Sequence, residues 1–529
     1  MTGGAGQGVH TAGGLLCRLA VAAGHHFHAT QDYLSRIRGG RNSYSVRIRE
    51  IPVRAGRHQA DIALSLDPSL LPHILSALAP AGIVVCDLPA GGAGSGDARV
   101  TAAPLKDLAI AAGSPILANI VGAGIVARML GIPPETVDRV LIRQFQDGFL
   151  EKNRVAARLG SEWADPRVPS GYRLPEGIFH PRMVLGGNEA LALGAVAGGC
   201  KFAAGYPMTP GSGILHGLSE DGPPLGLVFE QAEDEIAALN MAIGASYAGA
   251  RAMVATSGGG FALMVEALSL AGMMESPVVV ALAMRPGPAT GMPTRTGQVD
   301  LAFALSAGHG EFPRLVLSPG SVEEAYALAH HAMEMAEAYQ VPCILLTDQY
   351  LADTVVDADP GDFPVFRVNR RIVRGNDVPR DAKGRYLRYA FTGDGVSPMA
   401  VPGVRIVAGM GGADSDRDSL PAGGSPFLRG DPPRGGRPAA ACARDAARCR
   451  TRPAPQAAPR ASVDARDRPC GQAKEFPDPL SRSTSGGRVS GRLVLRRRWP
   501  CGPLPPGTSP DSSGRAGARR SRCPRWRRR

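Results

Sequence analysis

Gly205-Tyr206-Pro207-Met208-Thr209-Pro210, Glu230-Gln231-Ala232-Glu233-Asp234-Glu235, Thr256-Ser257-Gly258-Gly259-Gly260-Phe261 and Arg285-Pro286-Gly287-Pro288-Ala289-Thr290-Gly291 recur between residues 201 and 296, each beyond a short apolar run. The runs at 201–204, 225–229, 251–255 and 277–283 have the continuous apolar character of strands buried on both faces of a parallel sheet. In open α/β sheets ligands bind beyond the carboxyl ends of the strands, so four polar loops at those ends predict one shared cleft.

Working outward, the pattern continues as a doubly wound α/β unit. A helix over 189–197 ends at Gly198-Gly199, and one over 233–247 carries Ile236, Leu239, Met241 and Ile243. Their mixed spacing suits a helix lying on a sheet. Further strands are expected at 314–317 and 342–347, and a helix over 321–339 opens with the capping box Ser321-Val322-Glu323-Glu324. The methionine- and leucine-rich run 264–274 reads as core. This unit spans 183–357, and 358–410 reads as a connecting segment.

Upstream, Gly3-Gly4-Ala5-Gly6-Gln7-Gly8 feeds an apolar helix over 11–23. Such a loop should follow a strand, and none is read ahead of it, so the expectation is a start further upstream or a lost strand. The spacing G-x-G-x-G fails the dinucleotide fingerprint and argues against a nicotinamide cofactor. The loop is either a tight turn or a phosphate cradle. Arg36 and Arg38, beside Gly39-Gly40, could grip a phosphate or carboxylate by their forks, or form ordinary surface ion pairs. A strand at 42–49, further strand-helix alternation through 83–87 and 110–130, and a helix pair at 133–153 complete a first domain over 1–160. Residues 161–182, rich in Pro, Gly and charge, read as a linker.

Charge divides the chain differently. Residues 411–529 hold 25 Arg and one Lys against ten acids, a net charge of +16, while the first 410 residues are net −4. The tail has no Ile, Asn, Tyr, His or Met. So little bulky apolar surface cannot offset the entropy of ordering, and the tail is expected to be disordered. Nucleic-acid binding is disfavoured by the lack of interleaved aromatics, RGG units and lysine. The Arg-to-Lys ratio, with Ala, Pro and Gly, looks like GC-rich DNA translated out of frame, and a frameshift is expected within 404–410.

The loops quoted at the outset resemble those of the α subunit of the 2-oxoacid:ferredoxin oxidoreductases. The likeness is greatest to the 2-oxoglutarate type, in which a γ domain is fused ahead of the α chain. It implies a Rossmann-like γ domain, then a doubly wound, pyrimidine-type thiamine diphosphate-binding domain, with a further α/β domain normally following where this chain turns Arg-rich. It also implies a heterodimer with a β subunit, with which the thiamine diphosphate site is shared and which holds Mg and the iron-sulfur cluster. The activity implied is oxidative decarboxylation of a 2-oxoacid, with coenzyme A as co-substrate and ferredoxin as electron acceptor. Pyruvate or a branched or aryl 2-oxoacid is the alternative substrate, and a decayed, non-catalytic subunit with a basic tail is the alternative of another class.

By the same resemblance Glu235 is the carboxylate that bonds the cofactor's aminopyrimidine ring nitrogen, although three consecutive acids would also suit a helix N-terminus. Thr209 faces the 2-oxoacid, its loop set by two prolines, and Arg285 binds the C1 carboxylate. A dicarboxylate needs a second cation, and Arg295 is available. Tyr206, Pro207, Gly258 and Gly259 fall to cofactor binding. Gly6, Gln7, Gly8, Arg36 and Arg38 fall to coenzyme A or a subunit contact. Two departures stand out: Gly258-Gly259-Gly260 where the family has Gly-Pro-Gly, which should loosen that loop, and Gly297 where it has Glu before Gln298.

Gly393-Asp394-Gly395 lacks the following Asn of a metal-diphosphate motif and reads as a decoy. The nine cysteines contain no C-x-x-C pair, which argues against a cluster in this chain and agrees with a reducing cytoplasm. His25-His26-Phe27-His28 reads as a solvated turn rather than a metal site. No metal ligands and no membrane segment are expected in this chain.

Overall fold

The computed structural model describes residues 1–401 except 35–39, 90–95, 166, 168–169, 375–376 and 383. The expected tail and frameshift, and the arginines Arg36 and Arg38, therefore lie outside the described residues. Seven strands come first: β1 (Thr2–Gly4), β2 (His26–Tyr33), β3 (Arg41–Arg49), β4 (Ala60–Ser65), β5 (Leu78–Asp87), β6 (Val100–Ala103) and β7 (Met183–Gly186). A second group follows, β8 (Cys200–Gly205), β9 (Val228–Gln231), β10 (Arg251–Thr256), β11 (Val279–Met284), β12 (Leu315–Leu317) and β13 (Cys343–Asp348), before the last strand, β14 (Val355–Ala358).

The first sheet runs β6-β5-β4-β1-β3-β2-β14-β7. Its half from β6 to β1 is parallel and Rossmann-like, and the remainder is antiparallel. Strand β1 corrects one expectation: the glycine loop does follow a strand, three residues long, wedged between β3 and β4. Two of its three residues are glycine, which carry no apolar signal in the sequence. The stretch from His26 is likewise a strand rather than a solvated turn, with His25 and His28 buried. Burial pushes the pKa of both imidazoles down.

Both ends of the stretch 183–357 belong to this first sheet, since β7 and β14 pair with one another and β14 pairs with β2. One covalent excursion, 187–354, carries the second sheet and returns.

The second sheet is wholly parallel, in the order β12-β13-β11-β10-β8-β9. Alternate residues enter opposite layers. Ala203, Met253, Ala255, Val279, Ala281, Cys343 and Leu345 pack with the helices Gly187–Ala197, Ser212–Asp221 and Val322–Tyr339. Ala204, Ala252, Val254, Val280, Leu282, Ile344 and Leu346 face Glu235–Tyr247, Gly258–Leu263 and Val265–Met274. That period of two, with helices on both faces, is the doubly wound arrangement. The expected box at Ser321 forms with a shift: Ser321 Oγ accepts from Glu324 N at 3.2 Å, while the Glu324 carboxylate reaches Gly320 N.

After β14 the chain runs to the amino ends of these strands. Buried Arg251, opening β10, donates to Glu337 (2.7 Å), Glu334 (2.8 Å) and the Asn369 carbonyl, and Arg370 also donates to Glu337. Arg251 and Arg370 together balance the charges of Glu334 and Glu337, as a buried ion cluster requires. The four cysteines among the described residues are buried, and none is in a disulfide. No helix of the described residues is long and apolar enough to cross a membrane.

Candidate functional site

The register of the second sheet lines up its carboxyl ends. Gly205 lies opposite Gln231, Val254 opposite Ala204, Thr256 opposite Leu282, and Met284 opposite Asp348. Strand β8 sends its chain to one face of the sheet and β10 to the other, and the crevice at such a divergence is where open α/β sheets bind ligands. The loops beginning at Tyr206, Ala232, Ser257 and Arg285 surround it.

Glu235 opens the helix Glu235–Tyr247 and is only 3% exposed. Its neighbours divide the ordinary work of three acids: Asp234 caps the helix, its Oδ1 accepting from Ala237 N at 2.7 Å, and Glu233 is exposed. Glu235 is thus not needed as a cap. Its Oε1 is buried with no protein hydrogen-bond partner, an expensive condition unless something else bonds to it. Gly260 makes the room: a Cβ there would lie 2.5 Å from Glu235 Oε1 and 2.2 Å from Thr256 Oγ1. The three glycines form the first turn of the helix Gly258–Leu263 rather than a loosened loop.

Arg285, 7% exposed at the end of β11, donates from Nη1 to the Thr209 carbonyl at 2.5 Å and leaves Nε unpaired. Burial pushes its guanidinium pKa down, and the Glu235 carboxylate pulls it back up, so the two charges sense each other. Gly259 lies under this arrangement, where a Cβ would stand 3.4 Å from the Ala289 carbonyl and 4.0 Å from Met208 Sδ. Thr209, Glu235, Gly258, Gly259 and Arg285 are therefore brought together, and Tyr206 and Pro207 stand exposed at their rim.

Arg295 is placed otherwise. Its Nη1 donates to Asp32 Oδ1 on β2, a strand of the first sheet. The glycine loop near the chain start is filled by its own glutamine: Gln7 Oε1 accepts from Gly4 N at 2.6 Å, and Gln7 Nε2 donates to the Leu66 carbonyl. Gly8, at φ 73°, is held by Asn119 Nδ2 on its carbonyl. Gly393-Asp394-Gly395 forms a local turn, with Asp394 Oδ1 accepting from Thr392 Oγ1 and Val396 N. Among the described residues no group of three or more His, Cys, Asp and Glu is placed to hold a metal.

Three polar groups of the crevice carry no clear mark in the sequence. Ser257 Oγ is buried without a partner, as is Asp300 Oδ2, which would lie 2.7 Å from a Cβ on Gly258. Burial raises the Asp300 pKa. Asn188 donates to the Pro210 carbonyl at 3.0 Å and so braces the Thr209 loop from another helix. The only signal for Asp300 is an acid directly before the helix Leu301–Ser306.

Residues 1–163 match the family model described as pyruvate ferredoxin/flavodoxin oxidoreductase, and residues 193–363 match its thiamine diphosphate-binding domain model. An α subunit of 2-oxoacid:ferredoxin oxidoreductase from Sulfolobus sp is 33% identical over 463 residues, covering 76% of this chain and 71% of that one. The 2-oxoglutarate synthase subunit KorA of Archaeoglobus fulgidus is 49% identical over 166 residues, 31% of this chain and 48% of its own. A solved 2-oxoglutarate:ferredoxin oxidoreductase from Magnetococcus marinus, with 2-oxoglutarate, coenzyme A and succinyl-CoA bound, superimposes with a TM-score of 0.68 at 31% identity, covering 77% of this chain and 71% of that one. With a γ-type sheet ahead of a thiamine diphosphate-binding sheet, and with these relatives, the chain belongs to the 2-oxoacid:ferredoxin oxidoreductase family as an α subunit.

Proposed function

We propose that this subunit, joined to a β subunit in the cytoplasm, carries out the oxidative decarboxylation of 2-oxoglutarate to succinyl-CoA with reduction of ferredoxin, and that it is inactive alone. The observation that carries the reading is Glu235: a buried carboxylate whose Oε1 lacks a partner, beside a glycine that keeps a methyl out of the same space. An orphaned acceptor in a cradle of this kind fits the ring nitrogen of an aminopyrimidine.

Bound there, thiamine diphosphate would supply the nucleophilic carbon and the electron sink that decarboxylation of a 2-oxoacid requires. The chain's own part is to bind and orient. Glu235 Oε1 holds the hydrogen bond to the pyrimidine. Arg285, with Nε free and its Nη1 anchored, receives the C1 carboxylate, and Thr209 presents its hydroxyl to the 2-oxo group. Tyr206, Pro207, Gly258 and Gly259 shape the cofactor's walls. Arg295 serves the distal carboxylate. Gly6, Gln7 and Gly8, with Arg36 and Arg38, are the candidates for coenzyme A or a subunit contact. Mg and the iron-sulfur cluster are assigned to the β subunit, the γ-type domain to 1–160 with the strands at 183–186 and 355–358, the thiamine diphosphate-binding domain to 187–354, which trims the 183–357 expected from the sequence, and the tail 411–529 to no part of the chemistry.

One observation favours a second reading, a monocarboxylate such as pyruvate: Arg295 already carries the Asp32 carboxylate. The test is ferredoxin reduction by the chain co-purified with its β subunit, with 2-oxoglutarate and pyruvate compared in the presence of coenzyme A. Preference for 2-oxoglutarate is expected, with no turnover by the chain alone. Equal kcat/KM for both acids, or turnover by the isolated chain, overturns the reading.

A further inference from the structure

The loop between β11 and the helix Leu301–Ser306 is fastened at three points. Arg285 holds the Thr209 carbonyl, Gln298 Nε2 donates to Asp348 Oδ2 at 2.6 Å, and Arg295 meets Asp32. The first two anchors lie within the second sheet. The third comes from the first sheet, and it is the only one of the three in which a full negative charge bears on a loop cation.

Asp32 is well placed for such a task. It lies in β2, paired with Ser43 of β3, three residues beyond the point where β14 joins the other side of the strand at His28 and Ala29, so its backbone has little freedom. The next residue, Tyr33, points to the opposite face and donates its hydroxyl to Asp353 at 3.0 Å, fixing the strand end from the other side. Arg41 also approaches Asp32, at 3.4 Å, from the paired strand. Arg295 has five donors in a planar fork, and Nη1 is the atom that meets Asp32, so an acceptor can still be taken elsewhere on the guanidinium. The pair is about two-fifths exposed on each side, accessible to a small anion.

We infer that Asp32 is a positioning residue for Arg295: the N-terminal domain sets the direction of the second substrate cation and thereby the preference for dicarboxylates over monocarboxylates. The inference rests on the assignment of Arg295 to the distal carboxylate. An arginine on a loop loses binding power when its fork is free to wander, and a charge-assisted bond from a rigid strand removes that freedom.

The test uses the complex with its β subunit. Asp32→Asn keeps the shape but removes the charge, and is expected to raise the KM for 2-oxoglutarate by about three- to tenfold, the range for a partly exposed charged bond. Its kcat should hold within about twofold, and KM for pyruvate should move by less than about twofold, at the low end of such bonds. Asp32→Glu should recover part of the loss, and Asp32→Asn with Arg295→Ala should be no worse than Arg295→Ala alone, the mark of coupled residues. A general folding defect would instead lower the unfolding temperature and impair both acids together. Such a result, an unchanged or lower KM for 2-oxoglutarate, or additive losses in the double variant overturns the role of Asp32. If Arg295→Ala leaves 2-oxoglutarate untouched, the Arg295 assignment itself fails, and the inference with it. Loss with 2-oxoglutarate but not with pyruvate for Arg295→Ala, and no loss with Asp32→Asn, leaves the function standing and removes Asp32 alone.

Discussion

A methyl group on Gly260 would stand 2.5 Å from Glu235 Oε1, closer than any carbon and oxygen can rest without one of them moving. Gly260→Ala should therefore displace the carboxylate or the Thr256 side chain beneath it, at a cost of about 1–3 kcal/mol in stability, the usual range for overpacking a core. Thiamine diphosphate affinity should fall with it. Gly244→Ala, on the helix that Glu235 opens, is the control, since a Cβ there would meet nothing within 4 Å. Calorimetric unfolding and cofactor titration of the two variants check the contrast.

Glu235→Gln should behave differently from Gly260→Ala. The amide fills the same volume, so folding should be nearly untouched, but the charge and the carboxylate proton acceptor are gone. A loss of about 10²–10⁴-fold in kcat is expected, the range for removing a positioned acid-base group. Glu235→Asp, one methylene shorter, should not restore it because the buried position leaves no slack. Single-turnover decarboxylation in the complex separates this loss from weakened cofactor binding.

The distinction between Glu235 and its neighbours shows where sequence reasoning reached its end. Apolar runs, glycine turns and the capping box at Ser321 carried the second sheet and its helices, because buried parallel strands and caps leave local signatures. Which of Glu233, Asp234 and Glu235 faces inward depends on how the helix is rolled on the sheet, and only resemblance picked Glu235. Strand β1 was missed because its pairing partners, β3 and β4, are some forty and sixty residues away. Arg295 looked free because Asp32 is 263 residues distant in the chain. Long-range pairing leaves no trace in a short window of sequence.

His330 offers a pH prediction. It is buried on the helix Val322–Tyr339, stacked on Phe366 at 4.0 Å, with neither ring nitrogen bonded. Burial is the main cause that pushes its pKa below 6.5. Below about 6.5 the unfolded chain therefore takes up a proton that the folded chain refuses, and stability falls as pH drops through that window until the folded imidazole also titrates. His25 and His28, lowered for the same first reason, add to the slope. His330→Phe should flatten part of the decline between about pH 6.5 and 5, as read from urea midpoints at fixed ionic strength.

The last prediction concerns the interlocked sheets. Residues 1–182 lack β7 and β14, so in isolation β2 would be newly open at His28 and Ala29, with His26 and the Phe27 amide deprived of Asp357. Open edges of this kind recruit other strands. The fragment should therefore be less stable than the same residues in the whole chain and should self-associate on size-exclusion chromatography, whereas supplying 183–401 in trans should rescue it. Asp357→Ala in the full chain should show a milder form of the same weakness, since it removes the 2.7 Å bonds to His26 Nδ1 and Phe27 N but keeps the strand pairing. A fragment that stays monomeric and unfolds at the full chain's midpoint would mean that β14 merely abuts the first sheet, and that the two domains hold together through the side-chain contacts at Asp32 and Tyr33 instead.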